Sequence, residues 1–338
     1  MMFNYNPAHV YREGRVTDMR STSFSLILFA LFGVMMLSSP VHAQATRTWV
    51  SGVGDDANPC SRTAPCKTFA GAISKTAAGG EINCLDPGGF GALTITKAIA
   101  VVCESLEGGV LVAGTNGITV SAGSSDIVVL RGLDIEGIGS GLDGVKFNTG
   151  AELRVEKCNI RGFLGAPGNG IHFAPTGTSQ LFVLDTVIAD NNKGSMSAGI
   201  LIQPSGTGTA SGLIDGVKML NSGNGLIVDG TQTTGNQMNI VLRNSAVSGN
   251  SFTGVQVVAA AGQTFTRVII SDTAVTTNTT GISSSGQGSD VTLAYAIVSG
   301  NTTGITFTAP GDIRSYQTNQ LAGNDTTNGT PSSTIALQ

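Results

Sequence analysis

Two aspartates about one repeat apart, Asp185 and Asp215, have a spacing that suits acid–base chemistry. If the residues around them stack as neighbouring strands, the two side chains lie about 5 Å apart. Such a separation is typical of the carboxylate pair of a retaining glycosidase, and it also suits a shared calcium site in a lyase. Because Asp is favoured in tight turns for its own backbone hydrogen bonds, a structural role is the alternative.

His172 is the third candidate catalytic residue. It lies between Ile171 and Phe173 in an alternating stretch, so we expect its side chain on the outward face of a strand. An outward imidazole can act as an acid or a base, whereas a lone exposed His is usually just solvated. The candidate binding residues are cations that could serve as a base or clamp a carboxylate, and rings that could stack on a sugar: Lys157, Lys218, Arg243, Tyr295 and Phe163.

The first 43 residues predict a leader that ends in a secretory signal peptide, with the true start at Met1 or Met19. An apolar core at residues 26–37 precedes a small-residue cleavage site that ends at Ala43, with cleavage after Ala45 as the alternative. This core is shorter than the roughly 20 apolar residues that a membrane anchor needs. We therefore expect a secreted or periplasmic protein with no transmembrane segment in the mature chain.

The predicted mature chain is mildly acidic and poor in charge. Charged residues make up 12% and aromatic residues 5% of the 338-residue sequence, which contains 47 glycines. Residues 44–338 hold 15 basic and 20 acidic side chains and no run of Lys or Arg, which argues against nucleic acid as a partner. The composition is unusual for a compact globule, and the regular recurrence of Val, Ile and Leu argues against disorder.

One unit recurs eight times along the chain, at intervals of 23 to 29 residues. Each unit begins with Gly and an aliphatic residue, and an alternating apolar pattern follows, which predicts a short strand with one buried face. The glycines are Gly117, Gly144, Gly170, Gly199, Gly225, Gly254, Gly281 and Gly304. A second strand is followed by asparagines that we expect to stack as a hydrogen-bonded ladder: Asn191, Asn250, Asn278, Asn301 and Asn324.

These repeats predict an all-β fold, a right-handed parallel β-helix of roughly 8–10 coils with a short N-terminal capping helix. The period is too short for strand–helix–strand crossovers and for propeller blades, and it lacks a leucine-rich signature. An amphipathic helix within residues 67–78 would cover the open first coil. The predicted divisions are a leader at 1–43, a cap with a disulfide loop at 44–80, the β-helix at 81–324 and a weakly ordered tail at 325–338.

Four of the five cysteines fall early in the mature chain and predict two disulfides. Of the three connectivities that four cysteines allow, we favour Cys60–Cys66, which closes a short loop, and Cys84–Cys103. The 19 residues between the latter pair are close to one coil, so the two stack on adjacent coils. A zinc site of four thiolates is the alternative, disfavoured because there is no Cys-x-x-Cys pair, and we expect no metal site. Cys158 is expected to be a buried free thiol.

The stretch 50–82 resembles the N-terminal cap of secreted pectin-lyase-like β-helix proteins, most closely uncharacterised bacterial members with Cys in this cap. The resemblance is carried by Gly54-Asp55-Asp56-Ala57-Asn58-Pro59-Cys60, Pro65-Cys66-Lys67-Thr68-Phe69 and Gly79-Gly80-Glu81-Ile82. It implies the β-helix fold, but that superfamily includes lyases, glycoside hydrolases, epimerases, phage tailspikes and non-catalytic adhesins. The chain lacks the motifs of polygalacturonases and the clustered Asp residues and motif arginines of well-known pectate lyases.

Two function hypotheses follow. The first is a non-catalytic surface, adhesion or glycan-binding scaffold, which is favoured by the low density of titratable groups. The second is a polysaccharide lyase or glycoside hydrolase that acts on extracellular polysaccharide, motivated by the superfamily and by the spacing of Asp185 and Asp215. Either hypothesis implies a polysaccharide or a cell-surface glycan as the partner. No cofactor is expected, except calcium under the lyase hypothesis.

Overall fold

The computed structural model describes residues 1–4, 8, 44–104 and 106–336. The predicted signal peptide and its cleavage site lie outside these residues. Within the described ranges, no helix has both the length and the apolar character needed to cross a lipid bilayer. Contacts within the chain separate Gln44–Gln338 as a unit of its own.

Alternating buried and exposed residues build the strands, as in Gln237–Arg243, where every second side chain points into the core. The strands form three parallel sheets, which the chain visits in the order A, B, C in each coil. Sheet A contains Ala45–Val50, Thr76–Cys84, Ile99–Val102, Ile127–Arg131, Glu152–Glu156, Thr178–Leu184, Thr209–Asp215, Gln237–Arg243, Phe265–Ser271, Ser289–Ala294, Asp312–Ser315 and Ser333–Thr334.

Sheets B and C complete each coil. Sheet B contains Gly88–Gly89, Gly108–Leu111, Leu133–Glu136, Asn159–Arg161, Val187–Ala189, Lys218–Leu220, Ala246–Ser248, Ala274–Thr276, Ile297–Ser299 and Gln320–Leu321. Sheet C contains Leu93–Ile95, Ile118–Ser121, Asp143–Thr149, Asn169–Phe173, Ala198–Ile202, Asn224–Asp229, Thr253–Val258, Thr280–Ser285 and Thr303–Thr308. The predicted parallel β-helix is therefore confirmed, with ten strands in sheet B marking about ten coils.

The core is a column of inward side chains that stack from coil to coil. Phe147 and Phe173 pair in register on adjacent strands of sheet C, with ring centroids 4.5 Å apart. Stacking of like residues on successive coils removes both faces of each ring from water, which is the main stabilising term in such a solenoid.

The predicted Asn ladder is present at the turn between sheets B and C. The Oδ1 atom of Asn278 accepts hydrogen bonds from the backbone N–H and the side-chain amide of Asn250, at 3.0 and 2.9 Å. Asn301 plays the same part for Asn278, and Asn324 for Asn301. Each side-chain oxygen therefore accepts from the polar groups of the preceding coil, which satisfies their hydrogen-bonding requirement as burial demands.

The cap is built from a strand and one short helix, Phe69–Lys75, which lies within the predicted range of 67–78. Thr68 caps its N-terminus by accepting a hydrogen bond from Gly71 N–H, and the strand that begins at Thr76 ends it. Phe69 packs against Phe90 of the first coil with ring centroids 5.1 Å apart. The helix thus closes the apolar end of the solenoid.

Both predicted disulfides are confirmed: Cys60–Cys66, with Cα atoms 4.6 Å apart, and Cys84–Cys103, at 4.9 Å. Cys158 is a buried free cysteine, and its burial raises the pKa of the thiol to about 12. At the other end of the chain, the predicted tail adds the strand Ser333–Thr334, which pairs with Arg314–Ser315.

Candidate functional site

Three polar residues occupy one outward row of sheet C on adjacent strands. Lys146 pairs with Thr119 on one side and with His172 on the other. The row then becomes apolar with Leu201 and Ile227, which form a small cluster with Ala198 outside the main core. The titratable side chains of this row, Lys146 and His172, therefore lie on two neighbouring coils.

Lys146 and His172 meet a third group, the carboxylate of Asp143. The Nδ1 atom of His172 lies 2.7 Å from Nζ of Lys146 and 3.1 Å from Oδ2 of Asp143. The side chain of His172 is 12% exposed and that of Asp143 only 4%. Because Nδ1 of a neutral imidazole holds at most one proton, it either donates to Asp143 or accepts from Lys146. The three side chains form a proton-sharing cluster.

Asp143 is fixed by a short ladder at the start of the sheet C strands. Its backbone N–H donates to Oδ1 of Asn116, at 3.1 Å. Its own Oδ1 accepts from the side-chain amide and the backbone N–H of Asn169, at 2.8 and 3.1 Å. Asn169 in turn accepts from Ala198 N–H, at 2.9 Å. Asp143 is the charged rung of this ladder, and its second oxygen is left to face the imidazole.

Burial shapes the electrostatics of the cluster. Desolvation lowers the pKa of the Lys146 ammonium, while the charge of Asp143 opposes that shift. Burial by itself would raise the pKa of Asp143, but hydrogen bonds from His172 and Asn169, together with the charge of the imidazole, lower it. The arrangement favours an ionised carboxylate beside a lysine that loses its proton more easily than a solvated one.

A lysine with a lowered pKa can act as a general base, since a larger share of it is the neutral amine near neutral pH. An imidazole held by a carboxylate through Nδ1 can, when it is protonated on both nitrogens, donate from Nε2 to an anionic substrate group. Within the described ranges, no three His, Cys, Asp or Glu side chains are grouped closely enough to hold a metal ion. The side chains that this site offers are an amine, an imidazole and a carboxylate.

The predicted aspartate pair lies elsewhere, at the turn between sheets A and B. Asp185 occupies the turn with a φ of 49°, but the residue beside it on the next coil is Gly216. Asp215 pairs instead with Leu184 and with Arg243. The two aspartates are therefore offset by one residue and do not stack in register, because Gly216 takes the turn position of that coil.

Both carboxylate oxygens of Asp215 already accept hydrogen bonds from neighbouring side chains. Its Oδ2 accepts from Nε and Nη2 of Arg243, at 2.9 and 2.8 Å, and its Oδ1 accepts from the amide of Asn244, at 2.9 Å. Partial burial would raise the pKa of Asp215, but these hydrogen bonds and the charge of Arg243 lower it. Such a carboxylate is suited to a structural ion pair, and a general acid would need the opposite shift.

The remaining predicted binding residues are spread over the molecule. Lys157 lies in the turn between sheets A and B and forms an ion pair with Glu104. Lys218 and Tyr295 line one groove at the same corner, two and five coils further on. His172 is on sheet C, so the structure brings none of these cations to it.

The prediction that Phe163 binds a sugar was wrong. Its side chain is fully buried, so the predicted stacking on a sugar ring is excluded in this conformation. The ring occupies space that four glycines leave open, since a Cβ atom on any of them would crowd it: Gly117, Gly137, Gly141 and Gly144. A glycine-rich loop in this fold therefore makes room for a core aromatic residue.

Asp143, Lys146 and Asn169 were missed by reasoning from the sequence. The signal was present, because Lys146 and His172 each follow a repeat glycine by two positions, at Gly144 and Gly170. Asp143 and Asn169 likewise each precede one of those glycines. Alignment of the units on these glycines places all four residues on adjacent strands.

Comparison with known proteins bears on the fold. No protein-family model matches the chain, and no curated protein matches it significantly. Among solved structures, the chain is similar to pectate lyase Pel9A, with a TM-score of 0.61 and 15% identity over 88% of this chain and 80% of that one. It is also similar to an alginate lyase from Paenibacillus sp. str. FPU-7, with a TM-score of 0.52 and 14% identity over 83% and 97% of the two chains. These likenesses support the pectin-lyase-like β-helix fold.

Proposed function

We propose that the protein is an exported polysaccharide lyase that cleaves uronic-acid polymers by β-elimination, with Lys146 as the base. The observation that carries the proposal is the contact of Lys146, His172 and Asp143 on the outer face of sheet C. The two similar folds belong to proteins named for pectate and alginate, which are both polymers of uronic acids. Two disulfides fit an oxidising compartment and thus the predicted export.

The cluster supplies the groups that β-elimination needs. Neutral Lys146 takes the proton from the carbon next to the uronate carboxyl group. The electron pair of that C–H bond forms a double bond to the neighbouring carbon, whose bond to the glycosidic oxygen breaks. The electron pair of the broken bond stays on that oxygen, which then gains a proton from water. His172, as the imidazolium, donates from Nδ1 to Asp143 and from Nε2 to the substrate carboxylate, and so stabilises the negative charge that develops there. Asp143 orients the imidazole and does not touch the substrate.

The test is a screen of the purified mature protein against polygalacturonate, alginate and a neutral glucan. Unsaturated products are followed by ultraviolet absorbance, and reducing ends are counted in parallel. We expect turnover of at least one uronate polymer, no turnover of the glucan, and a loss of about 1,000-fold for Lys146→Ala, since general bases contribute roughly 10²–10⁴-fold.

Two controls sharpen this screen. Lys193→Ala removes an exposed lysine from a loop and should leave turnover unchanged. A chelator should also leave it unchanged, because the proposed mechanism uses Lys146 and His172 where calcium would otherwise act. Turnover that Lys146→Ala does not affect would overturn the assignment of the base. If no polymer is turned over, the lyase proposal is contradicted and the non-catalytic glycan-binding scaffold becomes the leading hypothesis.

A further inference from the structure

A groove of about 440 Å³ runs along the corner between sheets A and B. Its outer row consists of Lys218, Ala246, Ala274 and Ile297, which pair in register on successive coils. The two alanines are short and the residues at each end are long. The groove therefore exists because the middle two coils carry small side chains where the outer two carry large ones.

The turn side of the groove is lined by Gly216, Asn244, Asp272 and Tyr295, one from each of the same four coils. All four have left-handed backbones, with φ between 49° and 67°. Gly, Asn and Asp adopt this conformation readily, whereas an aromatic residue does so at a cost. The ring of Tyr295 is nevertheless 57% exposed, so burial in the core does not offset that cost.

The polar groups of this groove also differ from those around it. Charged side chains next to it are paired, such as Asp215 with Arg243. By contrast, Lys218, Asp272 and the hydroxyl group of Tyr295 have no side-chain hydrogen bond or ion pair within the described part of the chain. An open ammonium, an open carboxylate and an exposed ring all face one groove.

We infer that this groove binds an oligosaccharide about three sugar units long, at a surface separate from the catalytic cluster. Three steps between coils span about 14 Å, and each step of about 4.8 Å is close to the length of one pyranose unit. A chain that runs parallel to the solenoid axis would therefore advance by one sugar for each of the three steps between coils. The apolar face of the terminal sugar packs on Tyr295 and Ile297, as sugars and aromatic rings commonly do.

The polar contacts assign the rest of the ligand. Asp272 accepts hydrogen bonds from sugar hydroxyl groups next to the ring of Tyr295, where a uronate would be repelled. Lys218, at the far end, pairs with the carboxylate of an acidic sugar. The ligand class is thus a chain that carries a hydroxyl-rich sugar at one end and a uronate at the other.

The experiment is calorimetric titration of the mature protein with trigalacturonate, cellotriose and a mixed trisaccharide that ends in one glucuronate. Tyr295→Asn removes the ring and places at this turn the residue that Asn244 already provides, so the backbone is retained. We expect the mixed trisaccharide to bind most tightly, and Tyr295→Asn to weaken it about tenfold. Ala274→Leu, which fills the groove, should weaken it at least as much.

Phe265→Ala is the matched control, because Phe265 is 58% exposed on the outer face of sheet A, outside this groove. It should leave binding unchanged, and Lys146→Ala should do the same, which separates this proposal from the catalytic one. Equal loss of binding in Phe265→Ala and Tyr295→Asn would overturn the proposal. So would the absence of binding to all three probes, even if the protein turns over a uronate polymer.

Discussion

Two polar ladders lie at the turn between sheets B and C, and they differ in one residue type. In the long ladder, asparagines alone carry each link from Asn250 to Asn324, and Asn278 both accepts from Asn250 and donates to Asn301. In the short ladder, Asp143 accepts from Asn169 with one oxygen and contacts His172 with the other. An asparagine would satisfy the backbone equally well at position 143, so the charge there serves the imidazole and the lysine beside it.

The largest expected effect comes from exchanging the residue type in the long ladder. Asn278→Asp places a carboxylate at a position that is 3% exposed, where it faces the acceptor Oδ1 of Asn301 and where the hydrogen-bond partners among the described residues include no Lys, Arg or His. A buried charge without a partner costs about 3 to 5 kcal/mol. Chemical denaturation at pH 7 should show a fall of this size in the free energy of unfolding.

The reverse exchange, Asp143→Asn, should change the free energy of unfolding by less than about 1 kcal/mol, because the acceptor for Asn169 is kept. Equal destabilisation by Asn278→Asp and Asp143→Asn would show that both ladders are only structural.

Catalysis should respond in the opposite way. Asp143→Asn leaves Lys146 in place but removes the charge that orients and stabilises the imidazole of His172. We expect a fall in kcat of about 30-fold, which is below the roughly 10²–10⁴-fold contribution of a general base because Asp143 acts only through His172. The check is steady-state kinetics on the uronate polymer identified in the screen, with Asn278→Asp measured at a temperature where it is folded. When turnover is expressed per folded molecule, only Asp143→Asn should show a loss, and Asn278→Asp should not.

A smaller effect should come from repairing the long ladder. The side-chain amide nitrogen of Asn191 is buried without a hydrogen-bond partner within the described residues, because the next rung is Ser222. Ser222→Asn would supply the missing acceptor, as Asn278 does for Asn250. We expect the protein to gain about 1 kcal/mol of stability, which thermal unfolding would register as a rise of a few degrees at most. An unchanged or lower melting temperature would show that the rung has no room for the amide.

Much of the fold could be predicted because its rules are local. The repeat glycines, the alternation of apolar residues and the asparagines set the coil length and the sheets, and cysteine spacing indicated the disulfides. The helix Phe69–Lys75 lies within the predicted segment 67–78, and it ends at Lys75 because the first long strand begins at Thr76. The burial of the Phe163 side chain was harder to predict, because the glycines that create space for it lie 19 to 46 residues earlier in the sequence.

The candidate site was only partly predictable. His172 was found because it occupies the outward position in an alternation of apolar residues. Asp143 and Lys146 were missed, because neither stands out until two coils are aligned on their glycines. The pair Asp185 and Asp215 looked catalytic because acidic residues one coil apart suggest chemistry. The structure shows that Arg243 and Asn244 already occupy both oxygens of Asp215.

The dependence of kcat on pH, compared between the native protein and Asp143→Asn, tests the central claim most directly. Neutral Lys146 is the proposed base, so the rate should rise with pH through the pKa of its ammonium, which burial lowers. The groups that face it within the described residues are Asp143 on its own strand and His172 on the next. Because the charge of Asp143 raises the pKa of Lys146, Asp143→Asn should move the rising limb to lower pH. A limb that stays in place, or moves to higher pH, would contradict Lys146 as the base.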